Sequence, residues 1–290
     1  QTTDKHADIR TETGFLKPGV QRLVRAHERA TLAFLSRAPY DNVFLTWLID
    51  ADRSSSTRSA LYVYVDEHAQ IGGVAFFGRQ VVLAAQSDAA IDAFAEMAPG
   101  YRFERMIVAP RATVERFWDR VRAWHTPPRA VRESQPVLAV EARTLRGTRS
   151  GVIARRARPS EWEAVAHNSA KMIEHELEYD PRSFASEFNA NVRMMIDRGL
   201  WWVGEADGKL CFFCNAGPRS AQTLQLQGIW TPPTLRGRGL ATSALYGICE
   251  ELLKDNASLS LYVNGFNEPA LRLYDRTGFR RVSEFRTLLF

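Results

Sequence analysis

IWTPPTLRGRGLATSAL, residues 229–245, leads from the end of a predicted strand through a glycine-rich turn into an amphipathic helix. Apolar residues at positions 240, 241, 244, 245, 248, 249, 252 and 253 have the spacing of one helical face. Glycines allow backbone conformations closed to other residues, and the first amides of a helix have no partner inside it. Arg236 and Arg238 add charge and forked donors. The turn is therefore predicted to bind a diphosphate, although an arginine-rich loop ahead of a helix would look similar.

A second segment, NGFNEPALRLYDRTGF at residues 264–279, follows a short predicted strand and opens another helix. Asn267 lies where the strand passes into the helix, a position where asparagine also serves as an N-cap. Tyr274 comes seven residues later, about two helical turns, so both side chains can face the same cleft. Gly278 ends the predicted helix.

Together, the two segments resemble the GNAT superfamily of acyl-CoA-dependent N-acetyltransferases. The family's turn signature, R/Q-x-x-G-x-G/A, is met by Arg236, Gly239 and Ala241. The pattern N-x-x-A-x-x-x-Y-x-x-x-G-F is met by Asn267, Ala270, Tyr274, Gly278 and Phe279. The resemblance covers residues 151–290, with strong motifs from about residue 223 onward.

The resemblance implies that acetyl-CoA is the cosubstrate and that no metal is needed. Backbone atoms at the strand end would hold the acetyl and pantetheine groups, at Ile229, Trp230 and Thr231. Amides of the turn and of the first helical residues would hold the pyrophosphate, at Gly237, Arg238, Gly239, Leu240, Ala241 and Thr242. Asn267 would contact the pantetheine arm, with Ala270 in the same motif.

The resemblance also assigns catalytic roles. Tyr274 aligns with the tyrosine that protonates the departing thiolate, although its helix position alone would suit a core residue. The amine must also lose a proton, and the acidic segment KMIEHELEYD, residues 171–180, lies where the family places its substrate-binding helix or loop. Glu176 is our choice of base, the alternative being that each of these acids belongs to a solvated surface.

Gln225 and Gln227 alternate on the strand that ends at the acetyl site, so they share one face. They are predicted to line the cleft for the amine acceptor. Partly buried sheet positions with hydrogen-bonded glutamines are an equal alternative.

The charge balance does not indicate a nucleic-acid partner. The chain has 38 Lys and Arg against 33 Asp and Glu, giving a net charge of +5, but the basic residues form no block. We therefore expect no nucleic-acid partner. No apolar stretch approaches the roughly 20 residues that span a bilayer, and residues 1–10 lack a signal core, so a cytoplasmic protein without a membrane partner is expected.

The cysteines give little support to a metal or redox site. Cys211 and Cys214 form a C-x-x-C, but they fall in an apolar run typical of a strand, where residues three apart point to opposite faces. Burial as small apolar side chains is therefore expected for them. His175-Glu176 does not begin the zinc motif H-E-x-x-H, because position 179 is tyrosine.

Two domains are predicted, because the polar segment at residues 141–151 has two glycines and no periodicity. The fold class is α/β (α+β), with tandem GNAT-like domains that each have a mixed, mostly antiparallel sheet flanked by helices. Residues 150–290 would be catalytic, and residues 1–145 would be a degenerate, cofactor-free copy. The counterpart of the phosphate turn there, residues 84–88, has no glycine and places Asp88 at the helix start. A long helix is predicted over residues 20–37.

The predicted function is transfer of acetyl from acetyl-CoA to a primary amine by direct attack in a ternary complex. Two alternatives remain from the sequence. One is a module that senses acyl-CoA without turnover. The other is an aminoacyl-tRNA-dependent transferase, which also uses paired GNAT-like domains.

Overall fold

The computed structural model describes residues 18–51 and 54–290, the side chain of residue 184 excepted. Within these residues the strands, in chain order, are β1 (Gly19–Arg22), β2 (Leu61–Val65), β3 (Ile71–Phe77), β4 (Gln80–Ala85), β5 (Met106–Pro110), β6 (Ala130–Val140), β7 (Ile153–Arg156), β8 (Trp201–Ala206), β9 (Lys209–Arg219), β10 (Leu224–Trp230), β11 (Leu259–Tyr262) and β12 (Arg280–Leu289). The α-helices are α1 (Glu28–Leu35), α2 (Pro39–Asp50), α3 (Ser55–Ser59), α4 (Asp88–Ala95), α5 (Arg111–Val121), α6 (Trp162–Leu177), α7 (Ala185–Asp197), α8 (Leu240–Leu252) and α9 (Glu268–Arg276).

The strands form one mixed, mostly antiparallel sheet in the order β1-β2-β3-β4-β5-β12-β6-β11-β10-β9-β8-β7. Each half of the chain places its last strand against the other half. β6 pairs with β11 of the C-terminal half, and β12 pairs with β5 of the N-terminal half. β6 and β12 also pair with each other and so join the two halves.

Two sequence predictions bear directly on this architecture. The mixed, mostly antiparallel sheet flanked by helices is confirmed, and apart from the short helix α3 the order of strands and α-helices is the same in the two halves. The sequence predicted a separate sheet for each half, whereas the exchanged strands make the sheet continuous.

Apolar residues on both faces of the sheet build the core. Along β9, Phe212 and Cys214 pack into the cluster beneath α8, while Phe213 lies on the opposite face with Val165 of α6 and Val192 of α7. This alternation follows from the two-residue period of a strand. In the N-terminal half, α1 and α2 cover one face and α4 and α5 the other.

The predicted helix over residues 20–37 is wrong. Residues 19–22 instead form the edge strand β1, in which Val20 pairs with Tyr64 of β2. α1 then ends at Leu35, and Pro39 opens α2 at its first turn. The stretch therefore contains two elements of different type, a strand and a helix. The pairing of β1 with β2 is not specified by the local sequence.

The three cysteines are buried and carry free thiols, and burial is confirmed for Cys211 and Cys214. The prediction that these two point to opposite faces is wrong, because the pairing of β8 with β9 shifts register beside Cys211 and both side chains pack into the cluster beneath α8. No cluster of three or more His, Cys, Asp or Glu suited to a metal ion occurs in the described part of the chain. Among those same residues, no helix combines the length and the apolar character needed to cross a membrane.

Candidate active site

The site begins where two parallel neighbours in the sheet separate. β10 pairs with β11 only through Leu224 with Leu259 and Gln225 with Ser260, after which the strands diverge. The facing backbone groups beyond that point are available to a ligand, because strands otherwise satisfy them through pairing.

A bulge re-aims the end of β10. Between Gln227 and Trp230, β10 has one residue more than β9, and Gly228 adopts a left-handed conformation with φ of 60°. A side chain at residue 228 would also meet Asn215, so glycine is required both by conformation and by space. The bulge therefore turns the backbone at Ile229 toward the split.

The sequence predicts an anion site at the start of α8, and the backbone there is open. Its N-cap, Gly239, has φ of 77° and no side chain to cap the helix, and Gly237 has φ of 76°. A methyl group added at either glycine would meet no protein atom within 4 Å. The first amides of α8 are therefore open to an outside acceptor, and the helix dipole favours an anion there.

A cleft of about 520 Å³ runs from this turn along β10 and α9. It brings together all the predicted cofactor-binding residues: Ile229, Trp230, Thr231, Arg236, Gly237, Arg238, Gly239, Leu240, Ala241, Thr242, Asn267 and Ala270. Arg272 and Arg276 of α9 also line it, and the sequence analysis did not identify them. Their signal is present in the sequence, since the two arginines are four residues apart and therefore share one helical face.

The arginines of the first cleft differ in the contacts that their side chains make. Arg236 folds back over the turn, where its Nε donates to the carbonyl of Thr231 at 3.0 Å and its guanidinium lies over the Trp230 ring at 4.7 Å. Arg238 and Arg276 make no ion pair with any other described residue, so both remain available to phosphate groups in the cleft.

A second cavity, of about 390 Å³, lies on the other side of the split. It shares Glu176, Ile229 and Asn267 with the first cleft, so the two spaces meet at these residues. Its lining is mostly apolar and comes from several elements: Met106, Met172, Ile173, Leu177, Leu226, Leu261, Val263 and Leu289.

Glu176 differs from Glu174 and Glu178 in its burial and in its hydrogen bonding. Residues 171–177 form the last part of α6, and Glu178 is its C-cap. Glu174 is exposed and pairs with Lys171, and Glu178 is also exposed. Glu176 is half-buried, and its Oε2 accepts a hydrogen bond of 2.8 Å from Nδ2 of Asn264.

Tyr274 and Asn267 do face the same space, as their spacing predicts. Both line the second cavity, and Asn267 also caps α9 through its Oδ1, which accepts from the amide of Ala270 at 3.3 Å. Tyr274 is only 5% exposed. Burial, together with the nearby Cys214 and Glu176, raises the pKa of its phenol well above 10.0, so the phenol keeps its proton.

The two predicted glutamines occupy different places. Gln227 lines the second cavity, whereas Gln225 is buried outside it. Nε2 of Gln227 donates to Oε1 of Gln225 at 2.9 Å, so the side chains share a face of β10.

The counterpart of the phosphate turn in the N-terminal half is closed. Ser87 caps α4 through its Oγ, which accepts from the amide of Ala90 at 3.3 Å. Asp88 follows in the first turn and pairs with Arg116 at 3.0 Å. The helix start is thus already satisfied by a side chain and carries an acid, in contrast to the open start of α8.

The sequence analysis missed the residues that the N-terminal half contributes to the second cavity. Met106, Arg132 and Gln135 line it, and all three come from β5 or β6. Their local sequence carries no signal, because they reach the cavity only through the strand exchange.

Comparisons with known proteins agree with this geometry. Residues 162–279 match the family model described as "Acetyltransferase (GNAT) family", and residues 59–165 match a domain of unknown function, DUF4081. A mycothiol acetyltransferase of Acidimicrobium ferrooxidans is 34% identical over 119 residues, which make up 36% of this chain and 38% of that protein. The match thus spans little more than a third of that relative.

Solved structures share the fold at low sequence identity. A GNAT-family acetyltransferase from Colwellia psychrerythraea superposes with a TM-score of 0.59 and 10% identity, over 93% of this chain and 99% of that one. A tandem GNAT protein from the clavulanic acid biosynthesis pathway gives a TM-score of 0.54 and 12% identity, over 90% and 94%. The chain therefore carries, over residues 162–279, a domain of the GNAT acetyltransferase superfamily, a group of acyltransferase enzymes.

Proposed function

We propose that residues 150–290 transfer acetyl from acetyl-CoA to a primary amine by direct attack in a ternary complex. The observation that carries this proposal is the meeting of two cavities at Glu176, Ile229 and Asn267. A thioester lying in the cofactor cleft and an amine in the second cavity would come together at the split between β10 and β11. Holding both reactants there supplies the proximity on which a direct transfer depends.

The cofactor would lie along the first cleft. Its pyrophosphate would accept hydrogen bonds from the amides of the turn and of the start of α8, at residues 237–242. The pantetheine arm would follow the open backbone of residues 229–231 and contact Asn267. Arg238 and Arg276 would lie near the phosphates.

Two protons must move during the transfer. The amine attacks the thioester carbon, a carbon–nitrogen bond forms, and the carbon–sulfur bond breaks. Glu176 would take the proton from the amine, directly or through a water, because it is the carboxylate where the cavities meet. Tyr274 would donate a proton to the departing thiolate, which its raised pKa suits because the phenol stays protonated.

The acceptor would occupy the second cavity, with Gln227 at its edge and Gln225 behind Gln227. The small volume and mostly apolar lining favour a small amine on an apolar stem. Residues 1–145 would hold no cofactor, because the start of α4 is closed by Ser87 and Asp88.

The test is amine-dependent release of coenzyme A, measured with a thiol reagent against a panel of apolar and hydrophilic primary amines. We expect turnover with at least one apolar amine and strong losses in Glu176→Gln and Tyr274→Phe, while both variants still bind acetyl-CoA. Binding of acetyl-CoA without turnover of any amine would favour a sensing module. Displacement of coenzyme A by aminoacyl-tRNA would instead favour the tRNA-dependent transferase.

A further inference from the structure

We propose that the N-terminal half positions the base of the C-terminal half, with Gln135 as the positioning residue that acts on Glu176 through Asn264. This inference rests on the proposed function, in which Glu176 accepts the proton of the amine. It gives the half without a cofactor a defined part in the reaction.

A chain of hydrogen bonds with one polarity connects the two halves. Oγ1 of Thr287 donates to Oε1 of Gln135 at 2.5 Å, and Nε2 of Gln135 donates to Oδ1 of Asn264 at 2.9 Å. Nδ2 of Asn264 then donates to Oε2 of Glu176 at 2.8 Å. Gln135, Asn264 and Thr287 are each buried, so water does not compete readily for these bonds.

The carboxylate dictates the direction of this chain. An ionised Glu176 only accepts hydrogen bonds, so Asn264 must turn its amide nitrogen toward it. The oxygen of Asn264 then needs a donor, which Gln135 supplies with its own amide nitrogen. The remaining oxygen of Gln135 takes the hydroxyl proton of Thr287. Gln135 therefore selects the one orientation of Asn264 that stabilises the charged form of the base.

The same segment of the chain also fixes the backbone around the base. Nη2 of Arg132 donates to the carbonyl of Glu176 at 2.9 Å, and Nη2 of Arg129 donates to the carbonyl of Leu177 at 2.7 Å. These carbonyls belong to the last turn of α6, where helix carbonyls have no partner inside the helix. The end of α6 is thus attached to β6 and the residue before it.

The strand exchange makes these contacts possible. β6 lies between β11 and β12, with Val137 opposite Tyr262 and Gln135 opposite Phe285. Gln135 therefore reaches Asn264, just beyond β11, on one side and Thr287 of β12 on the other. The bond from Asn264 to Glu176 lies within the C-terminal half, whereas the donor that orients Asn264 comes from β6 of the N-terminal half.

Charged and titratable groups surround Glu176 from three elements. Arg132 approaches from β6 and Tyr274 from α9, while His175 and Glu178 lie next to it on its own helix and cap. None of these is altered when Gln135 is replaced. Loss of the oriented amide should therefore remove a hydrogen bond that stabilises the charged form of Glu176.

The main variant is Gln135→Met, which keeps the side-chain length and removes both hydrogen bonds. We expect kcat to fall about tenfold and the acid limb of the pH profile of kcat/KM to move up by about one pH unit. The reason is that Asn264, no longer held by Gln135, can turn away from Glu176, and a hydrogen bond to a charged group has about this value. KM for the amine should change little. Thr287→Val removes the first donor and should shift the profile the same way, by less.

Thr223→Val is the matched control. Thr223 is a buried threonine just before β10 that donates to Oγ of Ser260 at 3.0 Å and lies outside both cavities. It should leave kcat, KM and the pH profile as in the wild type. Thermal unfolding of all variants identifies any that fail to fold.

A double variant separates positioning from structure. If Gln135 acts through Glu176, Gln135→Met should cause no further loss of kcat in a Glu176→Gln background. An unchanged pH profile in both Gln135→Met and Thr287→Val, a rise in KM alone, or a full additional loss in the double variant would each overturn the inference. Full activity of Glu176→Gln by itself would instead remove Glu176 as the base and thus refute that part of the proposed function.

Discussion

Gly239→Ala tests whether the turn before α8 holds the phosphates of the cofactor. Gly239 has φ of 77°, a conformation that costs a residue with a Cβ roughly 1–2 kcal/mol. No protein atom lies within 4 Å of the added methyl group, so the folded protein can accommodate it. The methyl would, however, enter the open space where the pyrophosphate is proposed to lie.

The size of the effect follows from the amides at this turn. A phosphate held away by the methyl would lose at least one hydrogen bond to a charged group, worth about 1.5–3 kcal/mol. The Kd for acetyl-CoA should therefore rise by about 10- to 100-fold. Conformational strain alone should lower the Tm by only a few degrees.

Gly208→Ala provides a control for strain. Gly208 lies in the turn between β8 and β9 with φ of 72°, and a methyl group there would also meet no atom within 4 Å. Both variants should lose similar stability in thermal unfolding, but only Gly239→Ala should weaken acetyl-CoA binding in calorimetry. Equal, wild-type affinity in both variants would refute the placement of the pyrophosphate.

Three further predictions follow. Tyr274→Phe should lower kcat by roughly 10²- to 10⁴-fold with little change in the Kd for acetyl-CoA, as checked by steady-state kinetics and calorimetry, because it removes the proton donor alone. Gly278→Ala should lower the free energy of unfolding in urea by about 3 kcal/mol or more, since φ is 92° and a methyl group would overlap the carbonyl of Thr144. Arg155 holds the pKa of Glu161 below its usual 4.5. The pair therefore contributes its full stability above pH 4.5, and this contribution is lost as the pH falls through the lowered pKa. Glu161→Gln should reduce the loss of stability on acidification, as measured by urea unfolding at several pH values.

The local geometry of the first cleft was largely predictable because its information lies in short stretches of sequence. The turn at residues 236–241 needs left-handed glycines and an uncapped helix start, and both requirements are written in consecutive residues. Asn267 and Tyr274 depend only on helical spacing. Each of these predictions therefore required only that the end of one strand and the helix after it be located in the sequence.

The lining of the second cavity was less predictable than that of the first cleft. Of the acids in residues 171–180, only packing distinguishes Glu176, which faces inward, from Glu174, which pairs with Lys171 on the surface. Gln135 and Arg132 reach the cavity through an exchanged strand, and such an exchange depends on pairing between residues far apart in sequence. The edge strand β1 escaped prediction for the same reason.

The most direct test of the account is calorimetric titration of acetyl-CoA into the wild-type chain, with the number of sites as the readout. One site per chain is predicted, because the start of α8 is open while the start of α4 is capped by Ser87. Two sites would contradict the assignment of a cofactor-free N-terminal half. No binding at all would contradict the acetyl-CoA-dependent function itself.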